Sequence, residues 1–360
     1  MPMDRYIGID VHAQSCTVVV LTAAGKKTGL HVLETNGMAL VSFIQGLSGQ
    51  KHVIFEEGAQ SEWLYQLFEP HVEEVVVTQP ARREGNKSDA KDAEELAEAL
   101  RLGQVKTRVY KERRNMKPLL IAVRTYRRLM RATVRTKNQL KSVFLARGLA
   151  HTDQQLYDAQ TRGPWLKKLP VAERLEAELL GDQLDPQLEI LKEAEEELEE
   201  RAKKVKAVQL LMTAPGIGLR RAAIIAAIVV TPHRFRTTRQ YWSYCGLGIV
   251  TRTSAQWRPG PTGGWIRQNE PQAVGLNRKR NAHLKSVYKG AAKTIVEQMP
   301  GHPWAKDFQR AVAAGMRPNL AMLTLSRRIA ATTLAMWKKE EVYDLKNHKS
   351  VERPTTSPAV

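Results

Sequence analysis

The chain has 360 residues, enough for two or three domains with cores of their own. Its 56 Lys and Arg against 37 Asp and Glu leave a formal net charge of +19, which points away from an enzyme of small molecules and toward a polyanionic partner or an anionic surface. Nucleic acid is the better match. The longest apolar run, Ala222 to Val230, is too short to span a bilayer, and the first residues lack a signal-peptide core, so a cytosolic protein with no membrane partner is expected. Cys16 and Cys245 lie far apart without metal-ligand spacing and read as reduced core residues.

In chain order, three apolar strands are predicted in hairpin succession over 6–11, 15–22 and 28–34, turning at the polar residues 12–14 and at Gly25. A helix (37–48), a strand (52–56), a helix (61–69), a strand (74–78) and a helix (89–100) follow. Hairpins followed by βα units imply a mixed sheet flanked by helices, the RNase H/RuvC-like order. Four carboxylates punctuate it. Asp10 and Glu56 sit where two core strands end, and Asp89 and Asp92 open a helix at i,i+3 spacing on one face. Such an oxygen-only set suits Mg²⁺ or Mn²⁺, and a two-ion version would clamp a phosphodiester in line. Ordinary capping of strand ends and helix starts is the competing explanation of each acid singly.

Residues 101–150 hold fifteen Lys and Arg and a single acid, Glu112, in a helical pattern. Arg124, Arg127, Arg128, Arg131, Arg135 and Lys141 would form a basic stripe able to bind phosphates, with Tyr126, Asn138 and Gln139 as possible sugar or base contacts. Pro164 and Pro170 break the next stretch. Leu184, Leu188, Leu191, Leu198, Ala202 and Val205 then keep heptad spacing over about three heptads, open to a hairpin within the chain or, as favoured here, a coiled coil between chains.

A further domain is expected from about Leu210. Its Pro215-Gly216-Ile217-Gly218 turn before an apolar helix resembles half of a helix-hairpin-helix, where Gly216, Gly218 and the helix start could hold a phosphate; a plain packing turn is the alternative. The aromatic stretch 241–244 reads as a helix packed on the core. A loop or short hairpin carries Ser254 near its centre. Arg278, Lys279 and Arg280 open another basic helical stretch, 320–337 reads as an amphipathic helix, and the last fifteen residues as a disordered tail. The organisation is therefore α/β plus α: a catalytic sheet domain (1–105), a basic helical connector (106–182), a coiled-coil helix (183–209), a mainly helical serine domain (210–340) and a tail (341–360).

Gly8-Ile9-Asp10-Val11-His12, Glu56 followed by Glu-Gly-Ala-Gln-Ser-Glu-Trp-Leu, Lys87-Ser88-Asp89-Ala90-Lys91-Asp92-Ala93, the Pro-Gly-Ile-Gly turn and the Gly-Leu-Gly…Thr-Ser254 loop occur in an order and spacing that resembles the DEDD transposases of the bridge-RNA-guided insertion-sequence group, and the related Piv-type DNA invertases, over about residues 4–340. The resemblance implies a bacterial or archaeal, nucleoid-associated recombinase in which Asp10, Glu56, Asp89 and Asp92 hold the metal and Ser254 is the nucleophile. It further implies donor and target DNA as substrates, a non-coding bridge RNA as guide, and a dimer or tetramer in which the serine domain of one subunit completes the acid site of another. Many relatives place Gly after the serine; here Ala255 follows. Two other classes fit the same residues: a metal-dependent nuclease of the Holliday-junction-resolvase type, and an RNA-binding scaffold that needs only the basic helices.

Overall fold

The structure, a computed structural model, describes residues 3–80, 88–105, 108, 116–150, 153–252, 257–259, 261, 263–267 and 272–345, in two units, Met1–Glu112 and Arg113–Val360. In the first unit, β1 (Asp4–Val11), β2 (Ser15–Thr22) and β3 (Lys27–Glu34) form an antiparallel meander. Then come α1 (Gly37–Gly46), β4 (Gln50–Glu56), α2 (Ser61–Phe68), β5 (Glu74–Thr78) and α3 (Asp89–Arg101). The sheet order is β3-β2-β1-β4-β5, with β4 parallel to both β1 and β5. The expected mixed sheet is present, each element within a few residues of its predicted bounds.

Strand alternation sorts the side chains to two faces. Ile7, Ile9, Val53 and Phe55 pack with Leu40, Ile44, Leu64 and Phe68 of α1 and α2. On the opposite face Val19 and Leu21 meet Ala93 and Ala97 of α3, and Ile54 and Val76 meet Leu96 and Leu100. Gly8 is what lets α3 lie so close: a Cβ there would stand 1.9 Å from the Ala93 carbonyl oxygen. Gly25 turns the β2–β3 hairpin with φ +81°, a value that favours glycine.

The second unit begins with α4 (Lys117–Ala146), a 30-residue helix, followed by α5 (Asp153–Tyr157), α6 (Ala159–Leu166) and the 33-residue α7 (Val171–Lys203). Arg162 of α6 is buried, and its guanidinium takes the Asp185 carboxylate of α7 in two hydrogen bonds of 2.6 and 3.1 Å while Nε donates to the Leu156 carbonyl at 2.8 Å. The heptad residues turn inward. Leu184 packs with Leu140 and Phe144 of α4, while Leu198 and Ala202 join the larger core that includes Leu119 and Val123. These heptad residues pack within the chain against α4 and the core it joins, the hairpin arrangement that heptad spacing had left open beside a coiled coil between chains; spacing reports an apolar stripe and not whose stripe answers it.

The remainder comprises α8 (Lys206–Met212), α9 (Leu219–Val229), α10 (Thr238–Tyr244), the paired strands β6 (Ile249–Arg252) with β9 (Gln272–Leu276) and β7 (Trp257–Pro259) with β8 (Trp265–Arg267), then α11 (Ala282–Gln298), α12 (Pro303–Ala313) and α13 (Pro318–Lys339). Its centre is a buried polar chain within an apolar core: Tyr241 and Tyr288 share a 2.5 Å hydrogen bond, and Tyr288 reaches Thr333 at 3.1 Å. Both cysteines are free and buried, as expected of core residues. No described helix is long and apolar enough to cross a membrane.

Candidate metal centre and nucleic-acid face

Ile9 of β1 pairs with Phe55 of β4, so Asp10 and Glu56 follow at the same level of two adjacent parallel strands. Because Ile9 and Phe55 face α1 and α2, alternation turns Asp10 and Glu56 toward the face that α3 covers. Asp89 and Asp92 lie in the first turn of α3, where the helix dipole favours acids, and Asp92 closes that turn by donating its amide to the Ser88 carbonyl at 2.9 Å. Gly8 sits two residues before Asp10 on the same face. The close approach it permits is what brings the start of α3 to the strand end.

A fifth residue, His12, stands among the acids. Its Nε2 lies 3.0 Å from Asp10 Oδ2 and 3.4 Å from Asp89 Oδ2. Asp10, His12 and Asp89 are the described residues whose ligand atoms gather within 4.8 Å of one another. The imidazole is anchored through its backbone, since His12 N donates to the Ser15 carbonyl at 3.0 Å and the Thr35 hydroxyl donates to the His12 carbonyl at 2.9 Å. Sequence reading passed over His12 as a turn residue. The signal was present: in an extended strand, i,i+2 spacing from Asp10 puts both side chains on one face.

Burial pushes the Asp10 carboxyl above its ordinary range; His12 opposes this, and the neighbouring charges of Asp89 and Asp92 add to the rise. The capping explanation covers Asp89 and Asp92 but gives no reason for a half-buried strand acid to be held against them. A hard divalent cation does, because it would offset the converging charge, and carboxylate oxygens are the donors Mg²⁺ and Mn²⁺ take. The donor set thus fits such an ion. An imidazole nitrogen beside it suits Mn²⁺ better than Mg²⁺. Glu56 stands at the same strand-end level but outside the close group, and Asp92 acts on Asp10 through its charge.

In the second unit Arg124, Arg128, Arg131 and Arg135 of α4 are exposed, Arg127 is half-buried, and among the described residues none of the five has a carboxylate partner. Lys141 differs: it pairs with Asp153 at 3.1 Å. Tyr126 is buried in the core and so is not offered to sugar or base, whereas Asn138 and Gln139 are exposed. Gly216 adopts φ +72°, and a Cβ there would stand 2.6 Å from the Ala291 carbonyl oxygen of α11, so this glycine is required by packing; Gly218, exposed, caps α9. Arg278, Lys279 and Arg280 are exposed in the bend before α11.

Ser254 lies outside the described residues, between β6 and β7. Ser243, the other serine near that loop, is committed: its hydroxyl accepts from Asn277 Nδ2 at 2.8 Å and its carbonyl from the same amide at 3.1 Å.

Two family models match the chain. A DEDD transposase model of the IS110 type, described as Transposase, covers residues 7–146, and one described as Transposase IS116/IS110/IS902 family covers residues 208–271; together they span more than half of the chain. No curated protein matches it.

Proposed function

Because this chain belongs to the IS110 family of transposases, we propose that it cuts and rejoins DNA strands under the direction of a guide RNA, through a phosphoserine intermediate on Ser254. The observation that carries the catalytic half is the meeting of Asp10, His12 and Asp89 at the carboxyl end of a β3-β2-β1-β4-β5 sheet, with Asp92 in the same helical turn.

Asp10, Asp89 and Asp92 would hold the ion, with Glu56 approaching from the neighbouring strand and His12 placed as an added nitrogen donor. When bound, Mg²⁺ or Mn²⁺ would polarise the scissile phosphate and stabilise the charge that develops on it. The Ser254 hydroxyl attacks phosphorus, forming a P–O bond to serine as the bond to the 3′-oxygen breaks; its proton passes to solvent, and a free 3′-hydroxyl leaves. The phosphoserine conserves the bond energy, so reversal by a different 3′-hydroxyl rejoins strands without ATP. The guide would pair with donor and target while the protein grips shape and backbone, for which the arginines of α4, without carboxylate partners among the described residues, supply charge. The serine of one subunit would complete the acid site of another.

The test is Ser254→Ala with nicked substrate DNA, guide RNA and Mg²⁺. Loss of the covalent protein–DNA species and of rejoined product, with DNA binding retained, is expected. Cutting at the wild-type rate would move a water-attacking nuclease ahead.

A further inference from the structure

On α4, Arg127 and Arg131 are one turn apart on the same face. Both reach one atom: Arg127 Nη2 donates to His283 Nδ1, and Arg131 Nη2 approaches it at 3.3 Å. His283 stands in the first turn of α11, where Asn281 Oδ1 takes the amides of His283 and Leu284 at 3.1 and 3.2 Å. Those amides are therefore engaged, and what the site presents is side-chain charge. Neither helix supplies an acid to cancel it. Residues 117–146 contain no Asp or Glu, and the single acid of α11, Glu297, lies in its last turn beside Lys293.

The acceptor matters as much as the donors. A surface arginine is commonly oriented by a carboxylate, which also neutralises it. An imidazole nitrogen accepting from two guanidiniums carries no proton, so it holds both forks in place and leaves their full charge available. Burial and the neighbouring Arg131 together make the Arg127 guanidinium less favourable in its charged form, a strain that an anion would relieve. Arg124, Arg128 and Arg135 continue the charge along α4, over about 16 Å from 124 to 135 at ~1.5 Å per residue. That length matches several successive phosphates of a strand at ~3.4 Å rise each, rather than one small anion.

We propose that Arg127 and Arg131, oriented by His283, form a clamp for backbone phosphates of a nucleic-acid strand, with His283 as the positioning residue. The proposal rests on the nucleic-acid reading of this family member and adds the site and its orienting group.

The test uses the full chain with chelator present, so that neither the carboxylates nor Ser254 contribute, and follows binding of a DNA duplex and a single-stranded RNA, each about 30 nucleotides long, between about 50 and 200 mM salt. Arg127→Gln with Arg131→Gln should lower the slope of log K against log salt by roughly 1.4–1.8, two contacts at about 0.7–0.9 each. The exposed Arg131→Gln alone should remove about half of that while keeping the wild-type melting curve, which covers the case in which the double variant folds poorly. His283→Gln, which retains a neutral acceptor, should bind nearly as wild type; His283→Glu, which orients but cancels charge, should lose about one contact. A slope change confined to duplex identifies DNA as the occupant, one confined to RNA identifies the guide, and a change in both identifies a backbone grip common to the two. Unchanged slopes for both probes in Arg131→Gln, or equal losses in His283→Gln and His283→Glu, would overturn the clamp while leaving the strand-cutting chemistry untouched.

Discussion

At the carboxyl end of the sheet, one imidazole nitrogen of His12 faces the carboxylates of Asp10 and Asp89; on α4, one imidazole nitrogen of His283 faces the guanidiniums of Arg127 and Arg131. The same side chain serves opposite polarities because its ring can donate from one nitrogen or accept at it. In both places like charges are gathered beside one imidazole, an arrangement suited to binding an ion of the other sign. The two differ in how they are built. The acid group is fixed by backbone, from two parallel strand ends, a glycine-permitted helix approach and a turn held at both backbone groups of His12. The basic group stands on one helix surface and is steadied by a single residue from another. Rigid positioning is what a metal with defined coordination needs, while a strand of phosphates tolerates looser spacing.

The largest effect expected to break this contrast is at Gly8. Gly8→Ala would force its Cβ against the Ala93 carbonyl, so α3 must withdraw from the sheet and carry Asp89 and Asp92 with it. Strand cleavage should fall at least ~100-fold and stability by about 1–3 kcal/mol, read by product formation and a denaturant melt, while metal-free nucleic-acid binding stays near wild type. Near-normal cleavage would mean that the acids do not act as a fixed group.

Asp10→Asn sharpens the comparison from the charge side. Cleavage should be lost with binding to DNA or RNA intact, since one ligand charge is removed and the basic surface is not. The linkage sign is opposite to that of a salt-bridged carboxylate. Asp10 has its folded-state pKa raised, so it disfavours folding above that pKa and the penalty is relieved as pH falls through it; metal-free Asp10→Asn should therefore melt slightly higher than wild type at neutral pH. By the same sign, Mn²⁺ affinity of the wild type should begin to fall on acidification at a higher pH than an ordinary aspartate would give, followed by calorimetry. A lower neutral-pH melting temperature in the variant would contradict this account.

The smallest effect should come from Lys141. Its ammonium already has Asp153 in a solvent-exposed pair, so Lys141→Ala should leave both the melting curve and the salt slope of binding almost unchanged. A slope loss equal to that of Arg131→Gln would show that the pairing does not withhold it from phosphate.

Much of the first unit was legible in the residues themselves. Short apolar runs bounded by polar and turn residues placed the five strands of this unit, and the Asp89–Asp92 spacing placed both acids on one helical face, because these are local properties of strands, turns and helices. The excess of Lys and Arg over residues 101–150 is likewise a property of the sequence alone, on which the expectation of a polyanionic partner rests. Which acids meet, and in what company, was decided by tertiary structure: Gly8 allows α3 its approach, and the paired turn brings His12 between Asp10 and Asp89. Only the fold could show that the heptad leucines are answered by α4, that Gly216 serves packing against α11, or that Lys141 meets a carboxylate where Arg127 and Arg131 meet an imidazole. The physical reason is common to all four. A residue's periodicity and chemistry are carried by its own stretch of chain, whereas its partner is chosen by which distant segment the packing of the core leaves beside it.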